Sequence, residues 1–259
     1  MDLQLSGKTA LVTGSTAGIG LAIAQELAAE GAMTYVVGRS QEKVDAALAQ
    51  VEGSATGLVA DLGQASGAAR TLELLPEVDI LVNNLGIYES RAFGDIADEE
   101  WLRIFEINVM SGVRLSRAYL PGMLERDFGR ILFISSESGL QTPPEMIHYG
   151  MTKSAQLAVS RGLAEITKAT GVTVNSLLPG PTRSEGIVDF LHSMASNPNA
   201  TDAEAEAEFF AKHRSSSLLQ RLIEAREVAT MAAYLASPLS AATNGAAVKV
   251  EGGLLRSIV

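Results

Sequence analysis

Short apolar runs that stop at small or polar residues recur along the whole chain, and their spacing restricts the fold more than any other feature. They occupy residues 8–13, 33–37, 55–60, 78–82, 130–134, 172–178 and 246–250. Each is too short for a buried helix and rich in Val, Ile, Leu or Ala, as strands covered on both faces are. Between them lie stretches with apolar residues at helical spacing, among them 41–50, 98–125, 148–170 and 225–236. Strand and helix in alternation build β-α-β units, whose crossover helix lies on the sheet face and makes neighbouring strands parallel. The expectation is one α/β domain over residues 1–259, doubly wound, with a seven-stranded parallel sheet flanked by helices. With 47% hydrophobic and 19% charged side chains, the composition is that of an ordered globular protein.

The first run leads into G-S-T-A-G-I-G and then a helical pattern through Glu30. Gly14, Gly18 and Gly20 let the backbone approach a ligand closely, and the amides at a helix start face an anion that the helix dipole favours. A dinucleotide pyrophosphate fits, as does a plain turn. After the second run stands Arg39, with Ser40 beside it and no acid from 37 to 40. An acid there accepts from a ribose 2′-hydroxyl and a base receives a 2′-phosphate, so NADP(H) is favoured and NAD(H) is possible. Asp61 closes the third run, placed to accept from an adenine amino group or to cap the next helix. N-N-L-G-I closes the fourth, with Asn84 and Gly86 at the carboxyl end of a strand, where open sheets hold ligands.

Tyr149 and Lys153 are four residues apart in a helical pattern and share a face. A phenol titrates near pH ~10, and a neighbouring cation favours its anion, which brings proton exchange toward neutrality. Ser136 stands thirteen residues upstream, at the end of the fifth run. Asn108 lies inside the helical pattern 98–125, where asparagine competes for backbone hydrogen bonds and needs a reason to be. P-G-P-T ends the sixth run and points Thr182 into the same crevice. Residues 183–215 break the alternation and read either as a substrate lid, with Phe190, Leu191, Met194, Phe209 and Phe210 as apolar lining, or as helices packed on a neighbouring subunit. The loop 137–147 would form one substrate wall, in which Glu137, Gln141 and Glu145 either meet a polar substrate or, the favoured reading, are solvated loop residues. His148 reads as a packing or surface residue rather than a proton donor.

The totals exclude several classes. With 20 basic and 30 acidic side chains, net charge −10 and no basic cluster, nucleic acid is not an expected partner. There is no cysteine, and His148, His192 and His213 share no ligand spacing, so no metal site is expected. The start of the chain lacks the regions of a signal peptide and no apolar run reaches membrane-spanning length, so a soluble cytoplasmic protein without membrane contact is expected.

T-G-S-T-A-G-I-G at 13–20, N-N-L-G at 83–86, I-S-S at 134–136, Y-G-M-T-K at 149–153 and P-G-P-T at 179–182 together resemble, in their order, the short-chain dehydrogenase/reductase family. The resemblance implies a Rossmann-like doubly wound domain and an NAD(P)-dependent oxidoreductase of the carbonyl or 3-oxoacyl reductase type, moving hydride between NADP(H) and a ketone or secondary alcohol. It implies Tyr149 as general acid or base, and Lys153 lowering its pKa and holding the nicotinamide ribose. Ser136 would hold the substrate oxygen, and Asn108 a water behind Lys153. Gly14, Ser15, Ile19, Arg39, Asp61, Asn84, Gly86 and Thr182 match cofactor-contacting positions. Leu85 replaces the family's usual alanine and would crowd the crevice. The family commonly forms homotetramers, and the apolar ending 254–259 fits burial against another subunit. A dinucleotide-binding sensor on the same fold is the alternative, with no chemical need for the Ser136, Tyr149 and Lys153 set.

Overall fold

The computed structural model describes residues 1–258, with the backbone alone for Glu185. The strands are β1 (Thr9–Val12), β2 (Met33–Gly38), β3 (Ala55–Val59), β4 (Ile80–Asn83), β5 (Gly129–Ile134), β6 (Val172–Pro179) and β7 (Ala247–Val250). The helices are α1 (Gly18–Ala29), α2 (Gln41–Leu48), α3 (Ala65–Leu74), α4 (Asp98–Phe105), α5 (Ser111–Glu125), α6 (Ile147–Ile166), α7 (Glu185–Met194), α8 (Asp202–His213) and α9 (Ala225–Ala236). All seven strands pair in parallel, in the order β3-β2-β1-β4-β5-β6-β7. The chain therefore moves outward from β1 in one direction, returns, and builds out from β4 in the other. The reversal leaves a crevice at the carboxyl ends of β1 and β4.

The two faces of the sheet follow from the period-2 alternation of strand side chains. Ala10, Val12, Ile80, Val82, Leu132 and Ile134 meet Ile23 and Leu27 of α1 and Val228 and Ala232 of α9. The intervening Leu11, Leu81, Ile131 and Phe133 meet Leu115, Tyr119 and Met123 of α5 and Ala164 of α6. All residues of β4, β5 and β6 are buried, which suits their largely apolar sequences, although β6 also buries Thr173, Asn175 and Ser176. A third, smaller cluster belongs to α7 and α8, where Ile187, Leu191, Phe209 and Phe210 pack with Leu222.

Three expectations change. The pattern 98–125 is not one α-helix, because residues Glu106–Met110 between α4 and α5 form a π-helical segment. The widened turn holds Asn108, whose side chain bonds outside its own helix, and such segments occur often at functional sites. The helix expected over 148–170 stops at Ile166. Leu254 and Leu255 are buried within their own chain, tied by the Glu251 carboxylate that accepts from both their amides. Ile258 is exposed, and Val259 lies outside the described residues. The apolar ending is therefore in part this chain's own core.

Candidate active site

The crevice is knotted by Thr13, at the end of β1. Its hydroxyl donates to the Val82 carbonyl at 3.2 Å and accepts from the amides of Asn84 and Leu85 at 2.9 Å each. Asn84 returns its side-chain amide to the carbonyls of Thr13 at 2.9 Å and Gly14 at 3.0 Å. The turn that follows depends on glycine at two points. Gly14 has φ +60°, and a Cβ on Gly20 would lie 2.4 Å from both the Gly14 carbonyl oxygen and Asn84 Nδ2. At the start of α1, Ala17 offers no capping side chain and the first turn carries no acid. The amides thus remain available to an anion, which is what a dinucleotide pyrophosphate requires.

A cavity of about 440 Å³ joins this turn to the ends of β5 and β6. Gly14, Ile19, Asn84, Gly86, Ser136, Tyr149, Lys153 and Thr182 all line it. Tyr88 meets Tyr149 edge to face, with centroids 6.2 Å apart. Phe190 of α7 and Phe209 of α8 also line the cavity, whereas Leu191 and Phe210 are buried in the core of the helix pair. Met194 packs against that core. Three of the expected contacts lie apart from the cavity lining. Ser15 is fully buried, its amide donating to the Val37 carbonyl at 3.2 Å and its hydroxyl to the Val12 carbonyl at 2.6 Å while accepting from the Val37 amide at 2.9 Å. It ties β1 to β2 and has no donor left for a cofactor. Arg39 is exposed just beyond β2. Asp61 is exposed after β3, where it accepts from the Gly63 amide at 3.1 Å and so closes a turn.

Behind the cavity Asn108 is 1% exposed. Its side chain accepts from the Ile87 amide at 2.8 Å and donates to the Ile87 carbonyl at 2.9 Å and to the Thr152 hydroxyl at 3.0 Å. Its carbonyl accepts from the Gln156 side chain at 2.6 Å, and Gln156 accepts from Lys153 Nζ at 3.2 Å. Lys153 also donates to the Ile134 carbonyl at 2.8 Å. The Gln156 side-chain amide thus links Asn108 to Lys153. Gln156 escaped the sequence reading, although it lies one turn beyond Lys153 on the same helix face.

Residues 8–193 match the short chain dehydrogenase family model. The chain belongs to the short-chain dehydrogenase/reductase family. It is 49% identical, over the full length of both chains, to a Bacillus subtilis protein named uncharacterized oxidoreductase YvaG. It is 34% identical to the 3-oxoacyl-[acyl-carrier-protein] reductase of Haemophilus influenzae, covering 98% of this chain and all of that one. Among solved structures, L-sorbose reductase from Gluconobacter frateurii, complexed with NADPH and L-sorbose, superimposes with a TM-score of 0.91 at 27% identity over the full length of both.

In this short-chain dehydrogenase/reductase the electrostatics of the tyrosine differ from the expectation. Burial raises the Tyr149 phenol well above its ordinary value, the Glu137 carboxylate raises it further, and the Ser136 hydroxyl partly offsets both. Lys153 Nζ lies 5.6 Å from the Tyr149 ring centroid, bonded to Ile134 and Gln156. It does not produce the expected lowering of the phenol. Burial lowers Lys153 itself to about 7, against an opposing pull from Glu137. Glu137 is the second correction. It is not a solvated loop residue but 5% exposed, accepting from the Ser136 and Ser138 hydroxyls, and burial raises its carboxyl above the usual range. Leu85 packs against the core cluster of α5 and also abuts the glycine turn, where a Cβ on Gly14 would lie 3.4 Å from its Cδ1. His148 packs edge to face on Trp101 at 5.9 Å, and burial lowers its pKa.

Beyond β2, Ser40 caps α2 by accepting from the Lys43 amide at 3.4 Å. That places a second, exposed cation in the turn after Arg39, which a reading confined to the strand end passed over. Ser15→Ala should destabilise the protein by about 1–3 kcal/mol in urea denaturation, because it strands the Val37 amide. NADPH affinity of the folded variant should be unchanged; a weakened affinity at unchanged stability would return Ser15 to the cofactor site.

Proposed function

We propose that this chain is an NADP(H)-dependent oxidoreductase that interconverts a ketone and a secondary alcohol. The observation that carries the reading is the convergence of Ser136, Tyr149 and Lys153 on one cavity with the open glycine turn at Gly14–Gly20. When bound, the dinucleotide supplies or accepts the hydride. The amides at the start of α1 hold its pyrophosphate. Arg39 and Lys43 receive the 2′-phosphate, and the absence of an acid beside them disfavours the 2′-hydroxyl of NAD(H). Asp61 and Thr182 bound the adenine and nicotinamide ends.

In the reducing direction the Ser136 hydroxyl, which donates to Glu137 in the structure, turns to the substrate carbonyl oxygen and stabilises the charge that develops there. Tyr149 gives its phenolic proton to that oxygen, and in oxidation takes the proton back. A phenol raised by burial remains protonated, the form in which it serves as an acid. Lys153, held by Ile134 and Gln156, orients the ribose. Asn108 and Gln156 position Lys153. Helices α7 and α8 act as the lid, closing Phe190 and Phe209 over the apolar side of the substrate. The assembly we infer is a homotetramer, supported by apolar side chains left exposed on the long helices, Leu102 at 70% and Ile166 at 59%. Among the described residues no helix is long and apolar enough to cross a membrane.

Three measurements test this reading. Tyr149→Phe should lower ketone-dependent NADPH oxidation by roughly a hundredfold or more while NADPH still binds, and a variant retaining most activity would remove the proton-transfer role. Arg39→Asp should reduce the preference for NADPH over NADH by at least about tenfold, and an unchanged ratio of affinities would remove Arg39 from cofactor choice. Light scattering on the purified protein should give four copies, and a monomer at micromolar concentration would contradict the tetramer.

A further inference from the structure

The cavity has one wall that the reaction does not use. Glu137 follows Ser136 directly, and its Oε1 accepts from Ser138 at 3.2 Å while Oε2 accepts from Ser136. Facing it is Arg214, the residue after α8, whose side chain is 11% exposed. Arg214 Nε lies 3.9 Å from Glu137 Oε1, and its Nη1 lies 3.7 Å from Glu145 Oε1. Those spacings hold the charges together but exceed hydrogen-bond reach. Of the five guanidinium donors, one is placed, Nη1 on the His213 carbonyl at 2.8 Å. Glu145 Oε1 is buried with no hydrogen-bond partner. The face of the guanidinium rests 5.3 Å from the Phe209 centroid, which fixes its plane and leaves its edge toward the carboxylates.

Buried charges are costly unless hydrogen-bonded, and here Glu137 is buried with Arg214 and Glu145 partly buried beside it, without bonds among the three. Glu137 and Arg214 line the reaction cavity and, together with Glu145, an adjoining one, so a group on the substrate can reach the gap across the shared wall of Glu137 and Arg214. We propose that Glu137, Arg214 and Glu145 form a substrate subsite that selects ketones bearing a hydroxyl group beside the reacting carbonyl. A hydroxyl donates and accepts at once, so it can donate a hydrogen bond to a carboxylate and accept one from the guanidinium. The position follows from sequence adjacency, since Ser136 takes the carbonyl oxygen and the next residue meets the neighbouring carbon's substituent. A carboxylate or phosphate substituent fits less well, because the two acids Glu137 and Glu145 flank Arg214 in the gap itself, while Arg256 lines only the adjoining space. The cation Lys212, which opens onto the adjoining space with Arg214, is held by Glu208 at 2.6 Å. An alkyl substituent would leave Glu145 Oε1 without a partner and the other guanidinium donors of Arg214 unplaced.

This inference rests on the reductase reading, and the test separates the two. The purified protein is assayed by NADPH oxidation with 2-pentanone, 1-hydroxy-2-pentanone and 2-oxopentanoate. Wild type should favour the hydroxyketone over the simple ketone by about tenfold or more in kcat/KM, as sites built to bond a hydroxyl do. In Arg214→Met and in Glu137→Gln that ratio should fall toward one. Because each ratio is taken on a single protein, loss of folded enzyme or of Ser136 alignment divides out. Turnover of the simple ketone with no preference, preference for the oxo acid, or a ratio that survives both substitutions overturns the subsite and leaves the reductase reading standing. No turnover of any of the three with either NADPH or NADH overturns the reductase reading, and the subsite with it.

Discussion

The structure depends on the seam between β1 and β4. A parallel sheet wound in both directions from its centre has one place where two adjacent strands send their chains opposite ways, and nothing in the ladder holds the departing loops together. Thr13 and Asn84 do so. Five hydrogen bonds among them and their neighbours join the glycine turn to the loop after β4, and Gly20 leaves room for the Asn84 amide. The anion-binding end of α1 and the floor of the reaction cavity are thereby one unit. A polar pair in this position also explains why the fourth-strand motif carries two asparagines. Asn83 is buried and donates to Ser116 at 3.1 Å, anchoring the strand to α5, while Asn84 anchors the turn.

A second network holds the catalytic helix. The π segment turns Asn108 away from its own helix, toward Ile87 and Thr152, and its carbonyl toward Gln156. From Gln156 the chain of bonds reaches Lys153. Every atom of the asparagine side chain that can bond is bonded within the protein, so α6 is registered against the loop after β4 by side chains alone. The unfavourable backbone of a π turn is offset by this set of buried bonds, the usual condition for such a distortion to persist.

Parts of this were legible in the chain itself. The catalytic Tyr149 and Lys153 were readable because a helix fixes which residues share a face. Gly14 and Gly20 were readable because only glycine permits such close approaches, and Asn108 because its residue type conflicts with its setting. Residues whose roles depend on a neighbour distant in sequence were misread. Ser15 fits a cofactor-contact motif, yet its hydroxyl bonds a strand 22 residues away. Glu137 has the look of a loop acid until Arg214 is brought over it from the end of α8. Leu254 and Leu255 read as an interface because nothing in their own segment announces Glu251 as their tether.

The sequence by itself determined the architecture, since local periodicity and strand length decide which segments are strands, which are helices, and that the sheet is parallel. It also singled out Ser136, Tyr149 and Lys153, which the fold brings to one cavity. Tertiary structure alone decided the electrostatics. Whether Tyr149 is raised or lowered, whether Lys153 faces the phenol or a carbonyl, and whether Glu137 is solvated or buried are set by burial and by distances of a few ångströms. Those distances arise between residues far apart in the chain, and a pattern along the chain does not encode them.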